Sequence, residues 1–146
     1  MTEPQMVRVE ILAQSFQPWN ALDQSLDAAP AHAVFLGSVR SEAHDGQPLD
    51  YLEISHYPGL SERCIKEEAE RLLRHHKADA VMVLHRVGLL PPGEPIVLVA
   101  VSADRRGAAQ RCCQAVLEML KHEAPFWKRE WRSDGSSEWL TDNTPL

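Results

Sequence analysis

The sequence predicts an α+β fold, a mixed sheet with helices packed on one side and a small β-hairpin extension. Three observations carry that reading. Segments of period two and of period 3.6 follow one another as strand, helix, two strands, helix, two strands, helix and hairpin, without a strict β-α-β alternation. Two β-branched, continuously apolar runs, Ala80–Val87 and Pro95–Val101, mark interior strands. No Gly-rich loop of the P-loop or dinucleotide-binding kind is present, which removes the common nucleotide folds.

Taken in order, Met6–Leu12 alternates Val7, Val9 and Ile11 against Arg8 and Glu10, the pattern of a half-buried strand. Pro18–Leu26 places Trp19, Leu22 and Leu26 at helical spacing, with proline near a permitted first-turn position. Ala31–Val39 is apolar enough for a central strand. Ser41–Pro48, with Asp45-Gly46, is polar and turn-rich, a mobile loop or hairpin connection, and Leu49–Tyr57 is the next strand. Ser61 offers an N-cap for a helix reaching about His76, whose apolar stripe is Cys64, Ile65, Ala69, Leu72 and Leu73. Pro91-Pro92-Gly93-Glu94 is the turn between the two interior strands. The last helix, Ala108–His122, buries Ala109, Cys112, Val116, Leu117 and Leu120, and must stop before Pro125, which disfavours helical geometry at Ala124 and donates no hydrogen bond. Phe126–Trp131 and Ser137–Leu140 then pair across Asp134-Gly135, and the terminal residues fray.

The chain has 146 residues, enough to bury one core and too few for two comfortable domains, so one domain over residues 1–146 is the expectation. A formal charge of −6 argues against broad nucleic-acid or anionic-membrane binding, which needs clustered Lys and Arg. Lys128, Arg129 and Arg132 with interleaved tryptophans are too small a patch to overturn this. The longest apolar run, Ile96–Val101, is far short of the roughly 20 residues that span a bilayer, and the polar N-terminus has no signal-peptide core, so a cytoplasmic protein is expected. Cys64, Cys112 and Cys113 lack paired-ligand spacing and an even count, and are read as free thiols in small core positions. The seven histidines have no metal-site order, so neither metal nor cofactor is assigned.

The chemistry concentrates at Leu120-Lys121-His122-Glu123-Ala124-Pro125-Phe126-Trp127-Lys128-Arg129-Glu130. Lys121 falls on the last helical turn. Lys128 lies past the proline on a strand whose alternation sets Phe126, Lys128 and Glu130 against Trp127, Arg129 and Trp131. A tight turn brings both ammonium groups to one pocket, where they repel unless an anion lies between them. The plain alternative is that Lys121 complements the helix C-terminus and that Lys128 and Arg129 are solvated.

This segment resembles the signature of the large subunit of molybdopterin synthase. Gly37-Ser38-Val39-Arg40, Leu52–Leu60, His85-Arg86-Val87-Gly88, Pro92-Gly93-Glu94 and Ser102-Ala103-Asp104-Arg105 resemble the family's other blocks, in its order, so the likeness runs from about Phe35 to Glu130. The resemblance implies an α/β-hammerhead-like fold. It also implies a sulfurtransferase that converts cyclic pyranopterin monophosphate (precursor Z) into molybdopterin by installing a dithiolene. The sulfur would come from a small ubiquitin-like subunit with a C-terminal Gly-Gly thiocarboxylate, and the large subunits would form a homodimer within a heterotetramer. This chain ends in Asn143-Thr144-Pro145-Leu146, so it is expected to be the acceptor half. The implied substrate contacts are Ser38, Val39, Arg40, Asp104, Arg105, Arg129 and Glu130, and the implied catalytic residues are Lys121 and Lys128. Lys121 is the first choice, as a partly desolvated lysine with a depressed pKa that shuttles a proton. Lys128 would hold the anionic tail, oriented by Glu130. Arg40 and Arg105 suit phosphate, which guanidinium forks grip with two bonds. Asp104 departs from the family's usual histidine and would repel a phosphate unless Arg106 offsets its charge. The rival reading is a noncatalytic module that binds a ubiquitin-like Gly-Gly tail.

Overall fold

The computed structural model describes residues 7–25 and 28–141, so the ends of the expected first strand and helix (Met6, Leu26) and the last five residues lie outside it. Eleven elements follow in chain order: β1 (Val7–Leu12), α1 (Pro18–Ser25), β2 (Ala31–Ser38), β3 (Leu49–His56), α2 (Leu60–His76), β4 (Ala80–Arg86), β5 (Gly88–Leu90), β6 (Pro95–Ala103), α3 (Arg106–His122), β7 (Phe126–Arg132) and β8 (Ser137–Trp139). The α+β class expected from the sequence holds, but the strands form two four-stranded sheets.

The first sheet has the order β1-β4-β6-β2, with β1 parallel to β4 and the other pairs antiparallel. Its two apolar runs, β4 and β6, are the central strands, which explains their lack of alternation: side chains are covered on both faces. On one face, α2 and α3 pack through Ile65, Ala69, Leu72, Ala109, Cys112, Val116 and Leu120 against Val81, Val83, Val99 and Val101. Complete burial of a side chain such as Ile65 contributes about 1.5–3 kcal/mol. The short α1 lies against the other face, where Ala21 and Phe16 meet Met82, Leu84 and Leu98. Thus only the two long helices share a side.

The second sheet, β5-β3-β7-β8, is antiparallel throughout and includes the expected β7–β8 hairpin, turned at Gly135 with φ 90. β5 is absent from the sequence reading because three residues carry too little periodicity. It starts at Gly88, whose φ of 104 lets the chain leave β4 immediately and enter the second sheet.

The start of α2 also differs from expectation. Its N-cap is Gly59, at φ 83, whose N–H is accepted by the Glu62 carboxylate at 3.0 Å. Ser61 sits inside the first turn, fully buried. Its Oγ accepts the Tyr57 N–H at 3.0 Å and donates to the Pro125 carbonyl at 3.1 Å. A serine that reads locally as a cap is therefore a tertiary tie between the start of α2 and the turn after α3. That turn is tight: the Glu123 and Ala124 N–H groups both bond Met119 O, and the Phe126 N–H bonds Ala124 O.

Candidate functional site

A cleft of about 930 Å³ opens where the two sheets meet. One wall is the end of β2 and the segment after it, from Phe35 to His44. Another is the last turns of α3, with Leu117, Leu120 and Lys121. The third is the inner face of the second sheet, with Leu52, Lys128 and Glu130, and the floor includes His85 and Val97. Gly37 packs closely in the first wall, where a Cβ would lie 3.0 Å from the Phe35 ring and 3.3 Å from Val97 and would press on both side chains.

The turn at Glu123–Pro125 reverses the chain between the two lysines. β7 pairs Lys128 with Ile54 and Glu130 with Leu52, and both β3 partners are buried, so Lys128 and Glu130 point inward as the alternation predicts. Lys121 reaches the same cleft from the end of α3. Burial first, and the Lys121 charge second, push the Lys128 pKa down to about 8. The depression thus falls on Lys128, the lysine that the sequence reading had assigned to charge holding.

Ser38, Val39 and Arg40 line the cleft as expected. A register shift falls between Gly37 and Ser38, and β2 makes its last pair with β6 at Ser38, opposite Pro95. Val39 is then fixed to the β5–β6 turn, donating its N–H to Glu94 O at 2.9 Å and accepting the Gly93 N–H at 2.8 Å. Arg40 follows, exposed at the rim.

Three of the expected substrate contacts lie elsewhere in this chain. Arg129 is on the outer face of β7, as alternation requires, where its guanidinium stacks 4.2 Å from the Trp131 ring and bonds Ser137 Oγ at 2.7 and 3.0 Å. Asp104 and Arg105 precede α3 at its opposite end, about 24 Å along the helix from Lys121 at 1.5 Å per residue. They are largely exposed and pair with each other at 3.2 Å, so the aspartate's charge is met by Arg105 rather than Arg106. Glu130 is in the cleft, but its carboxylate is engaged by His44 of the 41–48 segment.

Sequence reasoning passed over two residues of the cleft. His44 looks like an ordinary loop residue, and only the tertiary pairing of its loop with β7 gives it a role. His85 is buried, stacked on Phe126 with 4.1 Å between ring centroids, and its Nδ1 lies 2.8 Å from Arg86 O. Burial, with smaller contributions from Lys128, His56 and Lys121, drives its pKa to about 3, so the ring is neutral, donates from Nδ1 and offers Nε2 as an acceptor. Its place in His85-Arg86-Val87-Gly88 was the available signal. Beside it, buried Arg86 pairs with Glu94 at 2.7 Å, and Glu94 also bonds Ser15. Cys112 and Cys113 are buried in the α3 core, and burial raises both thiols to about 11, which leaves them inert. Among the described residues, no group of three or more His, Cys, Asp or Glu is placed to hold a metal ion, and no helix is long and apolar enough to cross a membrane.

Fold and cleft define a two-sheet α+β protein whose main cleft is lined by two lysines from flanking elements. The family of MoaE proteins matches residues 11–123, and the chain belongs to it. Among its relatives is the molybdopterin synthase catalytic subunit of Vibrio cholerae, 35% identical over 136 residues that cover 91% of this chain and 89% of that protein. The subunit of the same name from Ralstonia nicotianae is 39% identical over 106 residues, 73% of this chain; the match spans only 60% of that longer relative. In structure, the chain is similar to the molybdopterin biosynthesis MoaE protein from Burkholderia ambifaria, with a TM-score of 0.77 at 35% identity, covering 92% of this chain and 89% of that one.

Proposed function

We propose that the cleft is the active site of a molybdopterin synthase catalytic subunit, where cyclic pyranopterin monophosphate receives sulfur from the C-terminal thiocarboxylate of a small ubiquitin-like partner. The observation that supports this most is the depressed Lys128 beside Lys121 in a cleft wide enough for a flat pterin. With a pKa of about 8, Lys128 exchanges a proton near neutral pH, so it is the acid–base residue, while Lys121 holds the developing charge as the sulfur attacks and a carboxylate product leaves. Arg40 at the rim anchors the phosphate, Ser38 and Val39 set the edge against which the pterin lies, and Glu130 fixes the wall beside Lys128.

Asp104 and Arg105 fit this reading as residues given to a neighbouring subunit. Their exposure at the far end of α3 suits a homodimer of large subunits in which each completes the other's pocket, with a small subunit at each end. The chain then works as one domain over residues 1–146, in the cytoplasm. Incubating the pure protein with precursor and thiocarboxylated small subunit tests the activity: dithiolene product is expected, whereas binding of the tail without product would mark a noncatalytic module.

A further inference from the structure

The 41–48 segment borders the cleft as a strap, with Ser41–His44 in the cleft wall. It is folded on itself by the Ala43 N–H to Gln47 O bond and the Glu42–Pro48 bridge, and it is fastened to the second sheet and the turn after it through His44, through the Asp45–Arg132 pair and through the Ser133 N–H to Pro48 O bond. The His44 backbone N–H lies 3.1 and 3.2 Å from the two Glu130 carboxylate oxygens, and its Nδ1 lies 2.6 Å from Oε1. Its Nε2 is 3.5 Å from Glu138 on β8. The charged groups facing this imidazole are Glu130 on β7, Glu138 on β8 and Asp45 of the strap, and Arg132 on β7 pairs with Asp45 at 3.1 Å and with Glu138 at 2.6 Å. Glu130 is nearly buried and lines the same cleft as Lys121 and Lys128. A carboxylate withdrawn from water needs donors, and a released one turns to the nearest cations.

We propose that His44 is a positioning residue that pins the Glu130 carboxylate to the strap, and so keeps this anion out of the place an anionic ligand takes among Lys121, Lys128 and Arg40. The inference rests on the reading of the cleft as the site for a pterin phosphate. Glu130 foremost, with Glu138 and Asp45, raises the His44 pKa above its ordinary value, so the imidazolium that donates from both nitrogens persists to higher pH than in an ordinary histidine. As pH rises through that raised value the Nε2 donor is lost, and the strap loses its tie to Glu138.

Two measurements test this. Calorimetric titration with cyclic pyranopterin monophosphate, without the sulfur donor, should show binding weakened about tenfold in His44→Leu, about the cost of one released charge-assisted bond. His44→Gln, which keeps an amide donor for Glu130, should stay within about threefold of wild type, by the same reasoning. The double variant His44→Leu/Glu130→Gln should bind more tightly than His44→Leu, because the competing charge is gone; a double variant as weak as the single would overturn the proposal, since it would show a structural role alone. NMR titration of His44 without ligand should give a pKa above 6.5 that falls back toward it in Glu130→Gln; an ordinary value in wild type would overturn the pairing. If wild type binds no precursor, the reading of the cleft fails and the proposal falls with it, whereas unchanged binding in His44→Leu overturns the proposal alone.

Discussion

At Lys128 the environment, rather than the residue type, makes the chemistry: burial and a neighbouring ammonium lower its pKa to about 8. A proton acceptor of this kind gains its free-base form as pH rises, so the single-turnover rate should climb through a midpoint near the pKa of about 8 and level off about one unit above it. Lys128→Arg, which keeps charge but cannot deprotonate, should be slow and flat across the range. A rate independent of pH in wild type would remove Lys128 from proton transfer. Asp104 gives a second prediction at this scale. Its exposed pair with Arg105 is weak, yet it partly neutralises a cation that the proposed dimer delivers to a neighbouring pocket. Asp104→His and Asp104→Asn should both tighten precursor binding by about twofold to fivefold at low salt and less at high salt, where screening is stronger. Unchanged calorimetric affinity at both salts would show that Arg105 meets no phosphate. The alternation of β7 made the inward Lys128 and Glu130 legible, and it also marked Arg129 as outward, which the family blocks alone did not. His44 was illegible because its role depends on a contact across 86 residues.

Among elements, the strands and long helices were legible from periodicity because each buries one face or both, and their bounds agree within about two residues. What periodicity lacks is the partner of each face. β5 is too short to show a pattern, and nothing local says that β3, β5, β7 and β8 leave the first sheet to form a second. Ser61 illustrates the loss: its spacing suits a cap, whereas its hydroxyl ties α2 to the turn that sets Lys121 against Lys128. Ser61→Ala leaves a buried carbonyl and N–H without this partner, and should cost about 1–3 kcal/mol in urea unfolding while slowing turnover more than a distant core variant of equal stability cost. Equal slowing in the two variants would mean that the tie serves stability alone.

For the molecule as a whole, one chain brings Ser38, Val39, Arg40, Lys121, Lys128 and Glu130 to the cleft and holds Asp104 and Arg105 at the other end of α3. If pockets are completed between subunits, a heterodimer of Arg105→Ala and Lys121→Ala chains should regain roughly one working site of two, since one pocket then carries both defects and the other neither. Heterodimers as inactive as either parent would rule out sharing. The proposed sulfur transfer by the two cleft lysines is read out by single-turnover conversion of precursor in Lys121→Ala and Lys128→Ala, with fold and partner binding checked beside it. Each variant should lose at least about a hundredfold in rate, the scale of a lost acid–base or charge-stabilising group. Wild-type rates in both would show that neither lysine takes part in the transfer.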